Sequence, residues 1–172
     1  LPARVSAFGA ICQLNWSNAE GCAKRLISDP SADMRRLAAE AIGHHARSNP
    51  MNSELAAGLL ACAELDSHPA VQRAAALAAG SVGAVTVTSK LREQIAVELL
   101  RILGKTDHTD AYLFDGVLRG IERCGKEGIS QLTAMASRED HVQRELASEL
   151  FLALRTHEAA DGLDQLLAGD TS

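Results

Sequence analysis

Asp29-Pro30-Ser31-Ala32-Asp33-Met34-Arg35-Arg36-Leu37-Ala38-Ala39-Glu40-Ala41-Ile42-Gly43 returns, 37 residues later, as Asp66-Ser67-His68-Pro69-Ala70-Val71-Gln72-Arg73-Ala74-Ala75-Ala76-Leu77-Ala78-Ala79-Gly80. Asp29 matches Asp66, Arg36 matches Arg73, and Gly43 matches Gly80. Ala38, Ala39 and Ala41 match Ala75, Ala76 and Ala78. A looser third copy runs from Asp107 to Ile121 with Tyr112 in the Met34/Val71 position, and Val142-Gln143-Arg144 repeats Val71-Gln72-Arg73. The anchors 34, 71, 112 and 142 are spaced 37, 41 and 30 apart, at or near the period of stacked helix pairs.

Outside the copies, the composition points the same way. The apolar residues are mostly Ala and Leu, good helix formers that let helix backbones approach, and only 3% of the chain is aromatic. Pro2, Pro30, Pro50 and Pro69 each stand where a helix begins or has just ended, and Pro69 suits a first helical turn, where its missing N–H has no partner to lose. Val85-Thr86-Val87-Thr88 is the one β-branched run, short enough to be a loop. Gly43, Gly80 and Gly104 end apolar stretches and read as helix C-terminal glycines. The fold class is all-α. The expected pairs are 18–27 with 32–46, 52–65 with 69–82, 89–103 with 109–124, and 126–136 with 140–154. An unpaired helix is expected at each end, over 3–14 and 159–167.

The turn Asp, the Pro opening the second helix, the hydrophobic-x-Arg step and the Ala-rich packing resemble HEAT and phycobilin-lyase-type HEAT-like repeats. The resemblance covers about residues 18 to 167 and implies a right-handed α-α superhelix: one domain over 1–172, with repeats near 18–47, 51–83, 88–124 and 126–155. It says little of function, because such repeats serve many purposes. The stretch 107–123 also looks like HEAT-like segments of large multidomain bacterial proteins carrying dehydrogenase-like or haem-binding modules. That likeness implies an accessory domain of an enzyme. The apolar first helix, with Val5, Phe8 and Ile11, and a start at Leu1 suggest an excised or processed piece.

Several chemistries are disfavoured. A net charge of −5 is wrong for a general nucleic-acid binder, which needs a basic surface to displace counterions. HEAT-like DNA glycosylases carry aromatic residues on a basic face, whereas the one tryptophan here, Trp16, sits beside a candidate N-cap at Ser17 or Asn18 and reads as a packing staple. Cys12, Cys22, Cys62 and Cys124 have no metal-ligand spacing and read as small buried hydrophobes. His44 and His45 point about 100° apart on a helix, His68, His108, His141 and His157 are scattered, and only His157-Glu158 imitates the His-Glu dipeptides of deoxyhypusine hydroxylase. No metal and no cofactor are expected. Gly116-Val117-Leu118-Arg119-Gly120 reads as a close packing site and not a phosphate cradle. No apolar run is long enough to span a membrane.

A solenoid of this kind leaves an extended face lined by its second helices. The outward positions expected there are Arg35, Glu40, His44, Asp115, Arg119, Arg123, Glu145 and Glu149. Asp29, Asp66, Arg36, Arg73 and Arg144 are expected to form a structural ladder, each Asp holding helix N-terminal N–H groups and each Arg reaching an Asp of the adjoining repeat. Phe114 occupies the Arg position of the third copy and breaks that ladder. The expected function is non-catalytic: binding of a protein partner, or of other domains of the same chain. The alternative is an enzyme accessory, bilin-lyase-like or a partner of a dehydrogenase or haem-binding module.

Overall fold

The computed structural model describes residues 2–14, 16–46, 53–85, 88–105, 110–154, 160 and 162. Among them are the helices α1 (Pro2–Leu14), α2 (Trp16–Leu26), α3 (Ala32–Ala46), α4 (Ser53–Leu65), α5 (Pro69–Val85), α6 (Ser89–Lys105), α7 (Ala111–Arg123), α8 (Gly125–Ala136) and α9 (His141–Ala153), and no strand. The chain is an α-α solenoid. Of the expected C-terminal helix, Ala160 and Gly162 are helical and the remainder lies outside the described residues, as do His108, His157, Glu158 and the Thr86-Val87 part of the expected loop.

Aspartates set the starts of the second helices. Asp29 accepts from the Ser31 backbone N–H at 2.9 Å and Asp66 from that of His68 at 2.9 Å. Asp110 caps α7 by accepting from Tyr112 N–H at 3.0 Å and Leu113 N–H at 3.1 Å, and Asp140 caps α9 through Val142 N–H at 3.0 Å. Each carboxylate satisfies donors that the first helical turn leaves without a partner. Between α7 and α8 the chain turns at Gly125, whose φ of 60° is the left-handed conformation that Gly adopts without a Cβ penalty.

The second helices α3, α5 and α7 stack side by side with α5 in the middle, while α4, α6 and α8 form the outer row and α9 packs chiefly on α8. The core follows the repeat. Met34, Val71 and Leu113 begin it, followed one turn later by Ala38, Ala75 and Val117, and then by Ile42, Ala79 and Ile121; all are buried. This places Leu113, and not Tyr112, in the third Met34/Val71 position. Tyr112 is 60% exposed, so the third copy is one residue out of the expected phase. Val142 is 54% exposed at the start of α9, but Leu146, Ala147 and Leu150 are buried where Ala38, Ala39 and Ile42 are in the first copy.

Gly43 and Gly80 lie inside α3 and α5 and do not end them. Their role is at crossings. A Cβ on Gly43 would stand 3.0 Å from Ala78, and one on Gly80 would overlap the Gly120 backbone. Gly116 meets the Arg73 carbonyl in the same way at 2.8 Å, and Gly120 the Ala76 carbonyl at 2.9 Å. Gly116 and Gly120, four apart on one face of α7, therefore let α7 sink onto α5. Gly104 is exposed near the end of α6, with open space around it.

Candidate functional site: the open face of the second helices

With the phase set by Met34, Val71 and Leu113, the positions two, six and ten residues further on point away from the core. They are Arg36, Glu40 and His44 on α3, Arg73 and Leu77 on α5, and Asp115, Arg119 and Arg123 on α7; Ser81, ten residues on from Val71 in α5, is instead buried and accepts from Arg123. Across the first two of these helices Glu40, Gly43, His44, Ala74, Leu77 and Ala78, with Arg123 from the third, line a groove of about 290 Å³. Its floor is small and apolar and its rims are charged. Arg119 is exposed next to it on α7, and Tyr112 stands at the start of the same helix.

The expected outward set divides in the structure. Glu40, His44 and Arg123 converge on the groove, and Asp115 and Arg119 lie along α7 beside it. Glu145 and Glu149 are exposed on α9, away from the groove. Arg35 is instead an internal tie. Its side chain is 16% exposed and donates to Asp66 twice, at 2.6 and 2.9 Å, while also reaching the Asp29 carbonyl at 2.8 Å. The Arg35 guanidinium is the first cause holding the Asp66 carboxyl below its ordinary range, and burial opposes it. Arg123 is partly internal too: it donates to the Leu77 carbonyl at 3.0 Å and to the Ser81 hydroxyl, joining α7 to α5.

The ladder residues divide in the complementary sense. Asp66 receives its Arg from the preceding second helix, and Asp29 pairs with Arg4 of α1; the Ser31 N–H and then Arg4 hold its carboxyl low. Arg36, however, turns along its own helix to Glu40 at 2.6 Å. Arg73 bonds Asp115 at 2.7 Å, with both side chains more than a third exposed. Arg144 is exposed; its backbone N–H donates to the Asp140 carbonyl at 3.0 Å and its carbonyl accepts from Ser148 at 2.9 Å. The internal rung is therefore one residue ahead of the expected one, at Arg35, and Arg36 and Arg73 lie on the open face. In the third copy this position holds Asp115, which accepts from Arg73 and closes the step.

The outer row has ties of its own, which the sequence reading missed. Arg101 of α6 grips Glu64 of α4 through two bonds of 2.8 Å, and Lys105 adds a third at 3.1 Å; Arg101 first and Lys105 second hold the Glu64 carboxyl at about 2. Arg92 joins Glu127 at 3.1 Å and Gln131 joins Glu93 at 2.9 Å, linking α6 to α8. Glu64 and Arg101 are 37 residues apart, which is the repeat period itself. Opposite charges at that offset were the available signal.

The histidines and cysteines have structural surroundings. Trp16 stacks on His45 with ring centroids 4.2 Å apart, and burial, then His44, lowers the His45 pKa. Cys124 is buried, and burial pushes its thiol up to about 12; burial also raises Cys62 and Cys12. All four cysteines are free thiols. Among the described residues no three His, Cys, Asp or Glu side chains gather to hold a metal ion, and no helix is long and apolar enough to cross a membrane.

The family model for HEAT repeats matches residues 19–103, from α2 through most of α6. No curated protein and no solved structure matches the chain.

Proposed function

Because this is a HEAT-like helical-repeat protein, and HEAT repeats generally mediate protein–protein interaction or scaffolding, we propose that it is a non-catalytic binding module whose protein partner lies across α3, α5 and α7. The observation that carries this reading is the groove in which Glu40, His44 and Arg123, far apart in sequence, meet over a floor of Gly43, Leu77 and Ala78. Tyr112, 60% exposed, and Arg119 extend the face with the residue types that dominate interface energetics. Four cations on this face (Arg36, Arg73, Arg119, Arg123) are interleaved with Glu40, Asp115 and Glu122. That near balance suits a polar protein surface with paired charges, and it disfavours a phosphate backbone, which needs an excess of cations.

Arg119 with Tyr112 is the test pair, because Arg123 also bonds α5 and its loss would disturb the stack. A partner is first identified by cross-linking to the purified chain. Tyr112→Ala with Arg119→Glu should then weaken its binding by about tenfold or more, the scale of a lost hot spot, and leave the melting temperature within a few degrees. Undiminished binding by that folded variant would remove this face from the interaction. The same preparations, if they carry bound colour or stoichiometric metal, would point to the enzyme-accessory alternative.

A further inference from the structure

We propose that a second groove, between α1 and α3, receives an amphipathic helix of a protein partner, apolar on one face and carrying a Lys or Arg beside that face. This goes beyond the open-face reading; Glu40 and His44 line both grooves, so the two are told apart through Gly9 and Gln13 of α1 on one side and Tyr112 and Arg119 of α7 on the other.

The groove holds about 620 Å³ and is lined by Val5, Phe8 and Gly9 of α1 and by Leu37, Ala41 and Glu40 of α3, among others. Its occupant is indicated by the repeat. Leu37 and Ala41 correspond to Ala74 and Ala78 on α5 and to Gly116 and Gly120 on α7. Those four are buried: the Arg73 and Ala76 backbone of α5 covers Gly116 and Gly120, and Gly43 of α3 approaches Ala78, while Ala74 and Ala78 also line the open-face groove. At α3 the same two positions stay half-buried, because α1 approaches α3 loosely and leaves the groove between them. The surface thus repeats, in more open form, the helix-on-helix interface that closes between α5 and α7 and, at Ala78, between α3 and α5.

Charge supplies the second half of the argument. Glu40 is the one carboxylate among the lining residues, no Lys or Arg lines the groove, and the Glu40 side chain is 47% exposed. One of its oxygens accepts from Arg36, which leaves the other free to accept from an incoming cation. An apolar face set into Phe8, Leu37 and Ala41 with a cation over Glu40 is the pattern of helix-in-groove recognition.

The probe is a pair of labelled synthetic helices of about 15 residues, each with Leu at positions i, i+3, i+4 and i+7, one flanked by Lys and the other by Glu. Fluorescence anisotropy with the whole chain should show tighter binding of the Lys peptide. Glu40→Lys should invert the preference. Gly9 has nothing within 4 Å of an added Cβ, so Gly9→Trp can fill the groove and should weaken the Lys peptide by about tenfold. Gln13→Trp, at an exposed rim position, is a second filler should the first disturb α1. Tyr112→Ala with Arg119→Glu should leave this binding unchanged. Equal binding of both peptides, or full binding by a filler variant of wild-type helicity, would overturn the proposal. Loss of the Lys peptide in the Tyr112/Arg119 variant would place it on the open face instead.

Discussion

The two flanks of the second-helix row are built from corresponding positions and behave in opposite ways. Between α5 and α7, Gly80, Gly116 and Gly120 bring backbone against backbone, and the small-residue face disappears into the core. Between α1 and α3, Leu37 and Ala41 occupy the equivalent positions and remain partly open, with a groove in front of them. Periodic sequence thus fixes where a helix can dock, while the size of the facing residues fixes whether its neighbour closes down.

The largest way to break this contrast is to add one methyl group on each side. Gly120→Ala drives a Cβ against the Ala76 carbonyl and Leu99, and should destabilise the fold by about 2 kcal/mol or more after the helix-propensity gain of Ala is set against it. Gly9→Ala meets nothing and should be neutral or stabilising by up to about 1 kcal/mol. Chemical denaturation of both variants measures the difference, and equal destabilisation would deny that the two flanks differ.

A smaller effect separates the internal rung from the face. Arg35→Ala leaves the nearly buried Asp66 without the two hydrogen bonds it accepts from the guanidinium and should cost about 2–3 kcal/mol. Its neighbour Arg36→Ala removes a partly exposed pair along one helix and should change stability by no more than about 0.5 kcal/mol. Near-equal melting curves for the two would mean that Arg35 contributes no more than a surface arginine.

The smallest expected effect is on pH dependence. Asp66 has a lowered pKa in the fold, so its contribution is complete above the ordinary carboxylate value near 3.9 and is lost as pH falls through the lower folded value. His45, also lowered, favours the neutral form in the fold, so stability declines as pH drops below the ordinary histidine value near 6.5. The signs agree and the windows differ. His45→Phe should flatten the decline that sets in below the ordinary histidine value, and Asp66→Asn should flatten the profile only at more acidic pH. A profile unchanged by His45→Phe would mean that His45 titrates alike in the folded and unfolded chain.

Much of this architecture was legible. The turn aspartates, Pro69 and the alanine phrase placed the helices because each feature acts within a few residues of itself. Angular phase around the helix was harder to read. One residue is about 100° of rotation, so the letters align Tyr112, an exposed ring, with Met34 and Val71 in place of Leu113. Of the repeated arginines, Arg73 does reach Asp115 of the adjoining repeat, while Arg36 stays on its own helix and Arg35 makes the internal tie. The inference failed for a physical reason: Arg35 is internal because of where Asp66 stands in the next repeat, and Gln72 at the matching position of the second copy hides that pattern from any comparison of letters. The glycines misled similarly. A glycine near an apolar run's end suits a helix stop and a helix crossing equally well, and only the neighbour 40 residues away at Gly120 decides for Gly80.

Seen as masonry, the stack is an arch. Along its inner course α5 and α7 touch backbone to backbone through glycine. Along its outer course α4 and α6 are spanned by the long side chains of Glu64 and Arg101. Small contact residues on one course and long ones on the other are the means by which a repeat tapers, and tapered repeats laid in series set a radius. The radius is therefore written in side-chain volume: enlarging the inner residues would straighten the arch, and shortening the outer ties would relax it.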